Sequence, residues 1–326
     1  MGELAPIPKD DASPAYLPPW LPTEAELGLR PYEKAYAIDP KNPIEIDDAI
    51  KTQHVSSAEH RVAVFISDMG LIVGETEAID LARARGWTRY AATDQGKTVT
   101  MFDESIYKPL GLDQKHYKIG APAIKIGFSI NPQTGNWGDV DFSKVTVRTT
   151  SYSYEAVDKM LVNTPGRLTK LVETSNAIGL TLKNHGSLGF DGVSRKTVAR
   201  FMIMANFVAA EEMERLGVPW LYRNHGLHAI EQIRHISEED RGLFRKFMRA
   251  IYLSEPIGHE ALGLGSYCHL TSGLRRFPDT ANGLNLDALI DGREPAYNYE
   301  EMCEISDDMT SIYRKEMTRR PRLAAA

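Results

Sequence analysis

The sequence predicts an α+β fold, because two patterns divide the chain near residue 151. Before that point, apolar and polar residues alternate in stretches rich in β-branched side chains, which is typical of half-buried strands. After it, apolar residues recur at the spacing of one helix face. With 326 residues, 42% of them hydrophobic, the chain is long enough to bury a large core. We therefore expect the first half of the chain to be mostly strand and the second half mostly helix.

The first 30 residues predict an extended N-terminal arm, followed by a single domain over residues 31–326. Seven prolines lie within the first 31 residues. Because proline lacks a backbone N–H and fixes φ, this composition favours an extended segment. Beyond the arm, alternation predicts strands over residues 35–50, 61–69, 124–130 and 140–149, the last two joined as a hairpin by a turn at 131–135.

The helical half of the chain contains several separate periodic segments. The spacing predicts helices over residues 152–162, 166–184, 195–216, 238–253 and 300–319. For the helix at 195–216, Ser194 offers a side-chain oxygen suited to an N-cap, and Gly217 follows the last periodic position as a stop signal.

Composition restricts the function classes. Two cysteines, Cys268 and Cys303, do not make a disulfide framework and fit a reducing compartment. No signal-peptide pattern opens the chain, and its most apolar helical stretch, residues 202–210, is too short to span a bilayer. We therefore expect a cytoplasmic protein without membrane contact. A net charge of −6 argues against a non-specific nucleic-acid coat, but it leaves room for a locally basic channel. The oligomeric state stays open.

Four carboxylates crowd into ten residues, within the stretch Ala37-Ile-Asp-Pro-Lys-Asn-Pro-Ile-Glu-Ile-Asp-Asp-Ala49. These are Asp39, Glu45, Asp47 and Asp48. Like charges at close range repel, so without a cation some must protonate or move apart. Mg²⁺ prefers oxygen ligands and binds through a few carboxylates together with substrate phosphates. The pattern predicts a site for Mg²⁺ or Mn²⁺, and the alternative is a solvated acidic turn.

Five separated motifs occur in the order found in one enzyme family. The first is the acidic stretch itself. The others are Val64-Phe-Ile-Ser-Asp68, Arg85-Gly-Trp-Thr-Arg-Tyr90, the pair Phe201-Met-Ile-Met-Ala-Asn206 and Leu221-Tyr-Arg-Asn-His225, and Tyr267-Cys-His-Leu-Thr-Ser-Gly-Leu-Arg-Arg-Phe-Pro-Asp279. Over roughly residues 35–316 the chain resembles the RNB catalytic domain of the ribonuclease II family. That resemblance implies an RNB-type fold, with a mixed β core, surrounding helices and a central channel.

The resemblance also implies a reaction and a set of residue roles. The reaction is metal-dependent hydrolysis of single-stranded RNA from its 3′ end, releasing nucleoside 5′-monophosphates. Asp39 and Asp48 match direct ligands of one metal ion, and Asp47 and Glu45 match groups that hold a second ion or its waters. Asp47 and Arg275 are the predicted catalytic residues, with Arg275 on the scissile phosphate. Predicted contacts to the terminal nucleotides come from Tyr90, Phe190 and Glu304.

Three features depart from the family pattern. Glu45 stands where the family has Asp, and its longer side chain shifts one potential ligand of an ion that demands regular octahedral geometry. Gly273 and Pro278 replace the usual proline and alanine around the arginine pair. We also expect no cold-shock or S1 modules beside the domain, which would imply weak binding or short RNA substrates. Two alternatives therefore stay open: a metal-dependent enzyme of this fold acting on a small molecule, and a catalytically silent protein that binds RNA or a partner.

Overall fold

Five strands from the first half of the chain close into a barrel in the order β1-β2-β3-β4-β5. The structure is a computed structural model, and it describes residues 18–90, 97–113, 116–163, 166–183, 190–233, 236–247 and 249–323. The strands are β1 (Tyr32–Asp39), β2 (Asp48–Ser56), β3 (Glu59–Ser67), β4 (Ala121–Ile130) and β5 (Trp137–Ser153). Neighbours are antiparallel except β1 and β5, which close the barrel in parallel. The predicted α+β class and mixed β core are confirmed.

The strand predicted over residues 35–50 is wrong in one respect, because it is two strands. β1 ends at Asp39 and β2 begins at Asp48, so residues 40–47 form a connection that contains Pro40 and Pro43. Neither proline can donate a ladder hydrogen bond, which breaks the strand. The hairpin turn at 131–135 is confirmed: the Gly135 N–H donates to the Asn131 carbonyl at 2.9 Å, and Gly135 has a φ of 76°.

Small side chains fill the barrel interior, and larger ones face the helices. One buried cluster is mostly alanine and valine with Phe65; it includes Ala35, Ala37, Ala49, Ala121, Ala123, Val145 and Val147. A barrel of only five strands has a narrow lumen, so small residues fit there. Alternate positions such as Ile50, Val64 and Ile126 join a second cluster with the helices that cover the barrel.

Helices accompany the barrel strands in the first half of the chain and make up most of the second half. They are α1 (Glu24–Leu29), α2 (Thr76–Arg85), α3 (Glu104–Leu110), α4 (Tyr154–Asn163), α5 (Arg167–Thr181), α6 (Val193–Leu216), α7 (Leu227–Glu231), α8 (Glu238–Phe247), α9 (Phe277–Ile290) and α10 (Tyr299–Leu323). Two 3₁₀ turns, Met69–Ile72 and Glu260–Leu262, and a two-stranded sheet of β6 (Tyr222–Asn224) and β7 (Ile251–Leu253) complete it. In the part of the chain that the structure describes, we find no helix long and apolar enough to cross a membrane.

Two local predictions need correction, and a third lies largely outside the described residues. The helix predicted over 238–253 ends at Phe247, and its last residues instead pair as β7. The N-cap of α6 is Gly192 rather than Ser194, whose buried hydroxyl donates to the Tyr154 carbonyl at 3.1 Å. The predicted extended arm over residues 1–30 lies largely outside the described residues, and near its end α1 is helical, with a Thr23–Glu26 capping box.

Helix α9 was not predicted, and most of its residues are buried. Polar residues on it face the interior, where they bond to loop backbone: Asn282 exchanges hydrogen bonds with both backbone groups of Leu221. Because the helix is buried on all sides, it lacks the amphipathic periodicity that reveals a surface helix. Arg275 lies two residues before the start of this helix, in the loop that leads into it.

Candidate active site

The four predicted acids meet at one end of the barrel because β1 and β2 lie side by side. Asp39 is the last residue of β1, and Asp48 is the first residue of β2. The connection between these strands supplies Glu45 and Asp47, both buried. Its end is fixed to β3 by a hydrogen bond from the Ser67 N–H to the Asp47 carbonyl, 3.1 Å long. The barrel therefore brings together the acidic residues that the sequence predicted as one group.

Burial and mutual repulsion make these carboxyl groups hold their protons unusually tightly. Burial, followed by the charge of Asp47, raises the pKa of Asp39 to about 6 and that of Glu45 to about 7. Burial, with the charges of Asp39 and Asp47, raises the pKa of Asp48 to about 8. Burial also raises the pKa of Asp47, against the opposing charge of Arg275. Ionising all four carboxyl groups together would therefore put more negative charge into the buried site than Arg275 neutralises.

Arg275 contacts this acidic group directly. Its Nε donates to Oδ2 of Asp47 at 2.8 Å, while the Leu274 N–H donates to Oδ1 of the same carboxylate at 3.0 Å. A terminal guanidinium nitrogen of Arg275 donates to Ser272 Oγ at 2.9 Å. The side chain is still 39% exposed, so part of the guanidinium remains accessible to a ligand.

The loop that carries Arg275 takes its shape from the first turn of α9. Oδ1 of the buried Asp279 accepts from the Ser272 N–H at 2.8 Å and from the Arg276 guanidinium at 2.7 Å. Thr280 Oγ1 donates to the Gly273 carbonyl at 2.7 Å. Residue 273 has no room for a larger side chain in this arrangement, because a Cβ there would lie 2.7 Å from Cγ of Met69. Gly273 is thus explained by close packing, and Pro278 fits within the first turn of α9.

Tyr90 lies beside Glu45, as a member of the same site. Its hydroxyl donates to Oε2 of Glu45 at 3.3 Å, and Thr88 donates to Oε1 at 3.3 Å. Thr88 in turn accepts from the Met101 N–H at 3.0 Å. Sequence reasoning missed Thr88, although alternation with Tyr90 in the same short segment places both on one side of the chain.

A cavity of about 270 Å³ adjoins Arg275 and Tyr90. Aromatic rings and arginines dominate its lining, which comprises Trp87, Thr88, Tyr90, Arg249, Tyr252, Arg275, Arg276, Tyr313 and Glu316. The rings of Trp87 and Tyr313 lie 4.7 Å apart, and the indole N–H of Trp87 donates to Glu316 at 3.0 Å. Flat rings and guanidinium groups are the chemistry that binds bases and phosphates. Of these residues, sequence reasoning identified only Tyr90 and Arg275 as ligand contacts.

Two predicted substrate contacts lie elsewhere among the described residues. Glu304, on α10, is 70% exposed and lies 3.8 Å from Arg83 in an ion pair. It is not part of the cavity lining. Phe190 is 50% exposed just before α6, and the adjoining segment 184–189 lies outside the described residues. Their contacts with the terminal nucleotides stay predictions.

The donor chemistry of the acidic group fits a hard divalent cation, since every candidate ligand is a carboxylate oxygen. A bound cation would also offset the repulsion that raises these pKa values. Over the described residues, however, no three side chains of His, Cys, Asp or Glu converge closely enough to hold a metal ion. An ion held by this group would share the oxygens of Asp47 with Arg275.

The comparison with protein families decides the family. The model of the RNB domain matches residues 30–292. The chain belongs to the RNB family. An uncharacterised ribonuclease of Synechocystis is 25% identical over 336 residues, an alignment covering 92% of this chain and 49% of that protein. This RNB chain thus spans about half the length of the curated relatives it matches.

Solved structures confirm the RNB-type fold. Mycoplasma genitalium RNase R in complex with ribose-methylated single-stranded RNA has a TM-score of 0.71 and 16% identity, covering 89% of this chain and 57% of that one. Yeast Ssd1, described as a pseudonuclease, has a TM-score of 0.69 and 15% identity, covering 90% of this chain and 44% of that one. One fold therefore accommodates both a nuclease and a pseudonuclease, so activity has to be argued from the site.

Proposed function

We propose that this protein hydrolyses single-stranded RNA from its 3′ end, with Mg²⁺ or Mn²⁺, and releases nucleoside 5′-monophosphates. The observation that carries the proposal is the meeting of an under-neutralised acidic group with Arg275 and an aromatic, arginine-lined cavity. Acids alone would favour a cation, and arginines alone would favour an anion. Their adjacency suits a metal-bound phosphodiester whose base lies in the cavity.

The acidic residues are the proposed metal holders. Asp39 and Asp48, at adjacent strand ends, would hold the firmer ion, and Asp47 with Glu45 would hold the second ion or its waters. Bound divalent ions supply an activated water and neutralise charge on the leaving oxygen. The protein's part is to fix the carboxylates on rigid strand ends, which lowers the reorganisation needed when the substrate binds.

Arg275 and Tyr90 are the proposed substrate contacts. The accessible part of the Arg275 guanidinium donates to the scissile phosphate, where negative charge grows in the transition state. The Tyr90 ring borders the cavity and offers a stacking face to the terminal base, while its hydroxyl orients Glu45. Stacking of this kind is worth about 1–3 kcal/mol per base.

One observation favours a second candidate, a catalytically silent RNA-binding protein. Both oxygens of Asp47 already accept hydrogen bonds, from Leu274 and Arg275, and Glu45 accepts from Thr88 and Tyr90. A site stabilised by these internal contacts binds metal less readily. The cavity would then hold RNA without turnover.

The two candidates separate in an assay with 5′-labelled single-stranded RNA. The nuclease predicts a ladder of products that shortens one nucleotide at a time in Mg²⁺ or Mn²⁺ and stops in EDTA, with 5′-monophosphates as the released species. The Asp48→Asn variant serves as the control, because it keeps the side-chain shape and removes a charge. RNA that is bound but uncut in both metals supports the silent protein instead.

A further inference from the structure

The wall of the barrel is open along most of the boundary between β1 and β2. Within the described residues these strands pair only at Tyr36 and Ile50, whereas β2–β3, β3–β4 and β1–β5 pair along most of their lengths. We call the unpaired part, residues 32–35 with 51–56, the β1–β2 cleft. Its two strand edges present backbone groups with no ladder partner across the boundary, a feature that closed barrels normally remove.

A cavity of about 410 Å³ occupies this opening. Both strands and the first part of α5 line it, with side chains that include Lys34, Tyr36, Lys51, His54 and Lys170. The imidazole of His54 is fixed by Thr174 Oγ1 and by the Lys170 carbonyl, each 3.3 Å from its Nε2. The opening is thus a site of defined shape, with polar side chains at its margin.

The lining is positively charged, although the chain as a whole carries a net charge of −6. Three lysines line the cavity and no carboxylate does, although the Glu173 carboxylate lies 3.6 Å from Nδ1 of the lining His54. Lys51 pairs with Glu33 at 2.5 Å. Among the residues that the structure describes, the side chains of Lys34 and Lys170 form no ion pair, and both residues are exposed. Two uncommitted ammonium groups at one opening favour an anionic ligand.

The cleft also lies on the two strands that end at the acidic site. Asp39 and Asp48 stand on the far side of the Tyr36–Ile50 bridge from the cleft. From Ala35 to Asp39 is four residues of strand, about 13 Å at roughly 3.3 Å per residue. A single polymer chain of a few units could therefore contact both places.

We propose that the β1–β2 cleft binds the sugar–phosphate backbone of single-stranded RNA, upstream of the nucleotides in the acidic site. The proposal rests on the proposed ribonuclease function. Lys34 and Lys170 neutralise phosphates, and the exposed strand edges supply additional N–H donors. An added peptide strand would instead need side-chain pockets alternating along the edge, and this cavity offers ammonium groups from three separate elements. Several separate ammonium groups suit a ligand with regularly spaced negative charges, such as the phosphates of RNA.

Binding is tested without turnover in the Asp48→Asn background, with a fluorescently labelled single-stranded RNA of about 20 nucleotides measured by anisotropy over a range of salt. Adding Lys34→Ala and Lys170→Ala should weaken binding several-fold at moderate salt. It should also reduce the slope of log affinity against log salt by about 1.4, since each lost phosphate contact on a single strand contributes about 0.7. Lys34→Arg with Lys170→Arg should retain affinity and slope.

Lys118→Ala is the matched control, because this lysine is also exposed and lies outside the cavity lining. In the otherwise native protein, the two alanine substitutions should raise KM for the long RNA with kcat unchanged. They should leave hydrolysis of a dinucleotide unaltered, since it cannot span from the acidic site to the cleft. An affinity and salt slope equal to those of the Lys118→Ala control would overturn the proposal.

Two further outcomes separate this proposal from the ribonuclease proposal. If the native protein cuts no RNA but binding still depends on Lys34 and Lys170, the cleft assignment stands and the hydrolytic assignment fails. The second outcome is that polyglutamate binding requires both lysines while RNA affinity is unchanged when they are replaced by alanine. That result would overturn the RNA assignment of the cleft in favour of an acidic protein partner.

Discussion

Replacing Asp48 by asparagine should stabilise the metal-free protein while abolishing its activity. Burial and the charges of Asp39 and Asp47 raise the pKa of Asp48 from 3.8 to about 8. The folded state therefore binds this proton more tightly than the unfolded state does. The contribution of the group to stability is complete below about pH 4 and is lost as the pH rises to about 8. Asparagine has no ionisable group, so its contribution to stability does not change over that pH range.

The size of this effect follows from the pKa. Each pH unit between the ordinary and the raised value is worth about 1.4 kcal/mol, which sets an upper bound of about 6 kcal/mol at pH 9. The actual gain is smaller, because Asp39 and Asp47 share the titration and Asp48 is partly exposed to solvent. We expect the free energy of unfolding of the variant to be higher than that of the native protein by about 1–3 kcal/mol at pH 9, with almost no difference near pH 4.

Urea denaturation with EDTA, at several pH values, measures this difference. Glu294→Gln is the control, since that exposed acid lies outside the site and its removal should change little. Mg²⁺ at 1,000 times its Kd should reverse the order of stability, because it stabilises the native protein by about 4.1 kcal/mol. A difference between native and variant that does not change with pH would refute the electrostatic argument, and so would a variant less stable at pH 9.

Other substitutions probe the remaining parts of the site. Arg275→Ala should lower kcat by about 100-fold or more with a small change in KM, since a donor aimed at developing charge acts in the transition state; unchanged kcat with weaker binding would show a ground-state role. Glu45→Asp should retain or raise RNA hydrolysis, most clearly in Mg²⁺, because the shorter side chain restores the family geometry; loss of activity in both Mg²⁺ and Mn²⁺ would count against the second-metal role. Tyr90→Phe keeps the ring and removes the bond to Glu45, so RNA affinity should persist while turnover falls; equal losses of affinity in Tyr90→Phe and Tyr90→Ala would exclude stacking. Asp279→Asn should lower turnover through the displaced Arg275 loop and also destabilise the fold by about 1–3 kcal/mol; native turnover in a folded variant would remove the positioning role.

Periodicity predicted the strands and most helices of this fold because those elements have one buried face. The acidic group was predictable because its four members lie within ten residues of sequence. The prolines at 40 and 43 break the strand there, and the chain returns as β2 beside β1, which brings Asp39 and Asp48 together. Helix α9 could not be predicted from periodicity, because it is buried on every side and has no apolar face distinct from a polar one. Its polar residues form hydrogen bonds with loop backbone instead of facing solvent.

The cavity beside Arg275 could not be predicted from the sequence alone. Its members come from the segment after α2, from β7 and its preceding loop, from the loop before α9, and from α10. Tyr313 is more than 220 residues from Trp87 in the chain, yet their rings are 4.7 Å apart. The tertiary packing of α10 against α2 and β7 brings such residues together. Glu304 illustrates the opposite case: the resemblance to the family predicts it as a substrate contact, and the structure places it on an exposed face beside Arg83, outside the cavity lining.

The central claim, that the acidic group holds the metal that permits RNA hydrolysis, is tested by titrating Mn²⁺ while following two signals. Electron paramagnetic resonance reports the bound ion, and release of 5′-monophosphates from single-stranded RNA reports turnover. In the native protein turnover should rise in step with bound Mn²⁺, and in the Asp48→Asn variant both tight binding and turnover should be absent. RNA hydrolysis in EDTA, or equal Mn²⁺ binding by the two proteins, would contradict the claim.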